Sequence, residues 1–154
     1  MKHEHNNKLY GRLLIMALLS FISMYVLMYA MVDEFANVFP NFNQFYMAGL
    51  MTAPMVIIEL SLMWSMYHNR KWNVFIMAGS TIALIGFFLL IRQQTAISDR
   101  QFLKSMIPHH AGAILMCEQA PIQDAEIKEL CKGILSSQSS EIEQMKNILA
   151  RVEK

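Results

Sequence analysis

The sequence predicts an all-α protein with two parts, a membrane domain of three transmembrane helices and an amphipathic antiparallel helical hairpin. Three observations carry this. Of the 154 residues 55% are apolar and only 16% charged, with six glycines and four prolines, too few for a turn-rich β protein. Three long runs are almost free of charge. After Gln94 the pattern then changes to helical periodicity.

The runs are Leu13–Val32, twenty residues without a charge, Tyr46–Tyr67, twenty-two with only Glu59, and Val74–Ile91, eighteen with none. Each reaches or approaches the roughly 20 residues a helix needs to cross a bilayer. Spans are expected at about 13–32, 46–67 and 74–91, inside a membrane domain of residues 1–94. The first run exceeds a signal peptide's apolar core and no A-x-A site follows it, so it reads as an uncleaved anchor. Lys2, Lys8 and Arg12 precede span one, Arg70 and Lys71 sit between spans two and three, and Asp33–Phe45 carries neither Lys nor Arg. The charge rule therefore places the N-terminus in the cytoplasm of a bacterial inner membrane, with residues 95–154 on the periplasmic, extracytoplasmic side. Arg92, Arg100 and Lys104 pull modestly the other way. A net charge of +1 offers nothing to nucleic acid.

In residues 95–154, Ser98 and Gln101 match a capping box and open a helix. Phe102, Leu103, Met106, His109, His110, Ala113, Met116 and Cys117 fall on one broad face of it, and Pro108 predicts a kink before the histidines. Ala120 and Pro121 end this helix; Asp124 caps a second one to about Val152, with Ile127, Cys131, Ile134, Leu135, Gln138, Ile142, Met145, Leu149 and Val152 on one face. Folding about Pro121 and Ile122 sets Met106 level with Gln138, Phe102 level with Glu141, and Cys131 near Ala113. One such seam is thin for independent stability, so pairing into a four-helix bundle, as a homodimer or higher homo-oligomer, is expected.

Thioether, imidazole and thiolate suit Cu(I), and by extension Ag(I), better than hard cations or zinc. The plainer reading stands beside this one. Met and Cys at helical spacing also fill cores, adjacent histidines are commonly one exposed and one hydrogen-bonded, and Cys117 and Cys131 could bridge, although this folding leaves them four residues out of step. No Glu-x-x-His occurs, which argues against a di-metal enzyme.

In the membrane domain Met47, Met51, Met55 and Glu59 recur every fourth residue, continued by Met63 and Met66, with Met24, Met28 and Met31 on the first span. An ionisable group at mid-span is a functional candidate by default. The stripe reads either as a soft-metal path needing oligomerisation or as packing in which Glu59 is locked to Ser80 or Thr81. His3, Glu4 and His5 read as a weak metal site or a solvated tail.

The spaced pattern Asp99, Phe102, Met106, His109, His110, Ala113, Met116, then Gln138, Glu141, Ile142, Met145 resembles the CopM-like family, domain-of-unknown-function family 305, over about the last 57 residues. The resemblance implies a ferritin-like, typically exported helical domain associated with copper or silver binding and tolerance. By position it implies metal-site roles for Met106, His109, His110, Met116 and Met145, with Gln138 and Glu141 as polar partners. Longer members carry two hairpins, so one hairpin here implies a dimer. Cys117 and Cys131 lie outside the family pattern, and their ligand role rests on helical geometry alone. The expected function is sequestration or delivery of Cu(I) or Ag(I), with a metal chaperone or efflux pump as partner; a structural dimerisation module and a metal transporter are the alternatives.

Overall fold

The computed structural model describes residues 2–153, and side chains from Lys8 to Glu153, so the side chains of His3, Glu4 and His5 lie outside the described residues. Five α-helices follow in order: α1 (Lys2–Leu27), α2 (Phe42–Leu62), α3 (Arg70–Gln93), α4 (Asp99–Gln119) and α5 (Ala125–Val152). Short 3-10 turns at Met28–Met31 and Phe35–Asn37 lie between α1 and α2, and no strand occurs among the described residues.

The chain forms two compact units, one of Met1–Leu27 with Asn43–Thr95, the other of Met28–Phe42 with Ala96–Lys154. The second unit therefore differs from a hairpin of residues 95–154 alone. It takes in the α1–α2 connection, whose two 3-10 turns pack on α4. The reason is chemical: Val32 and Phe39 of that connection join the hairpin core, an attraction that sequence separation conceals.

In the first unit, Lys8–Met31, Phe42–Leu62 and Arg70–Gln93 are long and apolar enough to cross a membrane. Leu13 and Leu60 pack with Tyr67, flanked by Met16, Val56, Met63 and Ile76. The Tyr10 hydroxyl donates to Asn73 Oδ1 at 2.6 Å, and the fully buried Asn73 amide donates to the Tyr67 carbonyl at 2.8 Å. Asn69 caps α3, its side chain accepting from the Lys71 and Trp72 amides. A Cβ at Gly49 would collide with the ring of Phe87, so glycine is what leaves room for that ring against α2.

In the second unit α4 is the central element. Leu103, Ile107, Ala111 and Ile114 recur every three to four residues and form one core with Ile142 and Leu149 of α5, with Leu135, Met145 and Ile148 packed against it. Asp124 caps α5 as expected, its carboxylate accepting from the Glu126 and Ile127 amides at 2.9 and 3.0 Å.

The α4 N-terminus departs from the capping-box expectation. Ser98 has N-cap backbone geometry, but its side chain makes no cap bond. Gln101 Oε1 accepts from the Phe42 amide at 3.0 Å instead, so the side chain serves a backbone donor distant in sequence rather than its own helix start. α4 also continues through Pro108. Proline has no amide to give the Lys104 carbonyl, and the Asn41 side-chain amide donates to that oxygen at 3.3 Å.

Candidate metal centre on the hairpin

His110 is the best-defined polar side chain of the hairpin. Its position in the α4 stripe buries the ring, 11% exposed, against α5. Nδ1 donates to the Met106 carbonyl one turn back at 2.9 Å, and Nε2 lies 2.7 Å from Glu141 Oε2 on α5. Both partners are acceptors, so the ring either donates from both nitrogens or shares a proton with the carboxyl group. Glu141 is half exposed and can swing toward water. With Nδ1 held by a backbone oxygen, Nε2 is the nitrogen directed across the seam, the arrangement metal-ligating histidines adopt.

The expected donor face divides. Leu103 and His110 point into the hairpin, whereas His109, Phe102 and Met116 are exposed. Adjacent helix positions are turned about 100° apart, which is why His109 and His110 face different surroundings, their ring centroids 6.0 Å apart. Met106, Gln138 and Met145 are half-buried. Ile107, Ala111 and Ile114 take the inner face with Leu103, because the most apolar stripe of α4, not the one richest in sulfur and imidazole, gains most from burial against α5. No group of three or more His, Cys, Asp or Glu side chains converges as a metal site among the described residues.

Cys117 and Cys131 are joined in a disulfide, with Cα atoms 5.4 Å apart, and no cysteine is free. The pair takes the bridged alternative, and one expectation, its register, is corrected. The bridged pair has no thiolate for a metal in this state. The two are also level, not four residues out of step. Extended backbone at Ala120 and Asp124 carries the chain past the end of α4 before α5 turns back, so α5 sits further along than a fold about Pro121 and Ile122 implies. Cys131 consequently meets Cys117 rather than Ala113, and Glu141 meets His110 rather than Phe102. That registry sets Met145 level with the turn from Leu103 to Met106.

Two stripes remain open on this unit. On α4, Phe102, Met106, His109, Ala113 and Met116 alternate at spacings of four and three; on α5, Ile127, Leu130, Ile134, Gln138, Glu141, Met145, Ile148 and Val152 follow one another at three or four. Every residue of both stripes is exposed or only half-buried, and Phe102, Met116, Ile127, Leu130 and Val152 are large exposed apolar groups. The other end of the hairpin is closed by charge. Glu153 Oε1 lies 2.8 Å from both Arg100 Nη2 and Lys104 Nζ. The Lys104 hydrogen bond, helped by the nearby Arg100 charge, holds the Glu153 carboxyl below the usual carboxylate range. Arg100 and Lys104, which by the charge rule alone carry only topology, are thus ion-pair partners of the α5 end.

The membrane stripe is placed differently from expectation. α2 stops at Leu62 and turns through Met63–Met66, so Glu59 sits in its last turn and not at mid-span. The stop comes where Tyr67 folds back onto Leu13 and Leu60. Met47 and Met51 are exposed on this unit, Met55 is half-buried, and Thr52 donates to the Ala48 carbonyl of its own helix at 2.8 Å, with Met24 Sδ 3.7 Å from its oxygen. Thr81 donates to the Met77 carbonyl of its own helix at 2.8 Å.

Fold and site together define an all-α protein with three membrane-length helices and a disulfide-closed hairpin in which a buried histidine pairs with a half-exposed carboxylate. Residues 90–149 match the domain of unknown function DUF305. The chain is 34% identical over 141 residues to uncharacterized protein L153 of Acanthamoeba polyphaga mimivirus, an alignment covering 89% of this chain and 90% of the relative. The chain belongs to the DUF305 family. No solved structure is significantly similar to it.

Proposed function

We propose that this protein is a membrane-anchored member of the CopM-like group that binds a soft metal ion, Cu(I) or Ag(I), on the open face of its hairpin, for sequestration, tolerance or delivery. The observation that carries the reading is His110, whose ring is fixed through Nδ1 by a backbone carbonyl while Nε2 faces α5. Met106, His109, Met116 and Met145 all lie on the adjoining stripes, and thioether with imidazole is a soft donor set. A second copy laid on the same stripes would complete a four-helix bundle and bring two sets of donors inward. Glu141 would yield Nε2 when metal enters. The bridge between Cys117 and Cys131 supports an oxidising, extracytoplasmic setting for the hairpin, in agreement with the charge asymmetry of the loops. A chaperone or efflux pump would then be the natural partner.

The test uses the full chain in detergent micelles, titrated with Cu(I) against a competing chelator. A Met106→Ala, His109→Ala, His110→Ala triple variant is expected to lose at least about tenfold in affinity; an unchanged affinity overturns the reading. The His110–Glu141 bond also favours a second reading, a structural dimer module whose histidine is already satisfied. That reading expects thermal stability and oligomer mass to ignore added Cu(I), whereas a ligand of the native state must stabilise it.

A further inference from the structure

The closed end of the hairpin holds soft-metal chemistry that the open face does not use. Cys117 lies in the last turns of α4 and Cys131 in the second turn of α5, with Cα atoms 5.4 Å apart. Cys131 is buried at 9% exposure and Cys117 is half-buried. Their separation is held by more than the bond. Ile114, one turn before Cys117, belongs to the hairpin core, Leu135, one turn beyond Cys131, packs against it, and Asp124 caps the start of α5. Two thiols placed there by reduction would face one another across a packed seam.

We infer that Cys117 and Cys131 form a redox-gated site for one soft monovalent cation, closed while oxidised and open when reduced. The inference deepens the soft-metal reading and shares its choice of ion, but uses different donors. A dithiol reductant supplies two electrons and two protons. The S–S bond breaks, two S–H groups form, and the reductant becomes a disulfide. Entry of Cu(I) or Ag(I) then displaces both protons and leaves a two-thiolate complex of net charge −1. Thiolate pairs select thiophilic d10 ions over Mg, Ca or Mn. Reduction would therefore raise the metal capacity of a chain whose oxidised form has only thioether and imidazole to offer.

Full-length protein in detergent is compared in two states, oxidised, and reduced with dithiothreitol that is then removed under argon. Ag(I) and Cu(I) are counted per chain against a competing chelator, while ultraviolet thiolate-to-metal charge transfer and helical circular dichroism are recorded. The expected result is one additional equivalent in the reduced state, with charge-transfer absorption and unchanged helicity. A Cys117→Ser, Cys131→Ser chain should lose that equivalent, and a Met106→Ala, His110→Ala chain should keep it. Equal stoichiometry in both states, additional metal without thiolate absorption, or collapse of the hairpin on reduction would each overturn the inference. Metal bound only by the reduced chain would remove the open-face reading and leave this one standing; metal bound equally in both states would do the reverse.

Discussion

Pro108 removes one amide from α4, and Asn41 supplies another. The Asn41 side chain, 4% exposed, donates to the Phe39 carbonyl at 2.9 Å as well as to the orphaned Lys104 carbonyl, so one residue ties the α1–α2 connection to a defect in a helix remote from it in sequence. Asn41→Leu is expected to cost about 1–3 kcal/mol, the usual penalty for buried polar groups left unmatched, read from thermal or urea unfolding of the hairpin. Ile107 is fully buried in the same core, and Ile107→Ala should cost about 2–5 kcal/mol by the same measurement. His110 separates the two functional readings at this scale. If metal must displace Glu141 from Nε2, Glu141→Ala raises Cu(I) affinity; if the pair is structural, that variant only destabilises the hairpin.

Among the elements, the connection between α4 and α5 sets which residues meet. Its extended backbone moves α5 along α4 until Cys131 reaches Cys117 and Glu141 reaches His110. The Asp124 cap then starts α5 at the right residue, and Asp124→Ala should lower stability by about 1 kcal/mol. At the far end the Glu153 clamp is pH-dependent with a definite sign. Its folded carboxyl is held below the ordinary range, so its contribution is present above the unfolded value and is lost as pH falls through the folded one. Acid titration of hairpin helicity should therefore be shallower for Glu153→Gln than for the parent chain. Equal acid sensitivity of the two would show that the clamp contributes nothing.

For the whole molecule, the division into two units says what can be cut and what cannot. Residues 95–154 without Met28–Phe42 would leave Ile107 and Ala111 without Val32 and Phe39 beside their core, which is why metal experiments need the full chain. The open stripes also carry the prediction for assembly. Light scattering in detergent should report a dimer, and Phe102→Asp with Leu130→Asp should reduce it to a monomer while helicity is kept, because both side chains are exposed on the single unit. A parent chain that is monomeric at working concentration would remove the bundle from the proposal.

Composition and periodicity by themselves determined the helical class, three membrane-length segments, the hairpin with its cap at Asp124, and the α5 core face at Leu135, Ile142, Met145 and Leu149 though not at its exposed ends Ile127 and Val152, because each depends on local spacing along one helix. The short-range signals at Ser98 and Gln101 misled where a distant backbone group competed for the same side chain. Only the tertiary structure decided that Met28–Phe42 joins the hairpin, that His110 is buried while His109 is exposed, that Glu59 lies at a helix end, and that the cysteines bridge. Those outcomes depend on registry between segments and on where a helix stops. An extended residue advances the chain about twice as far as a helical one, so a few connection residues move every facing pair by a turn.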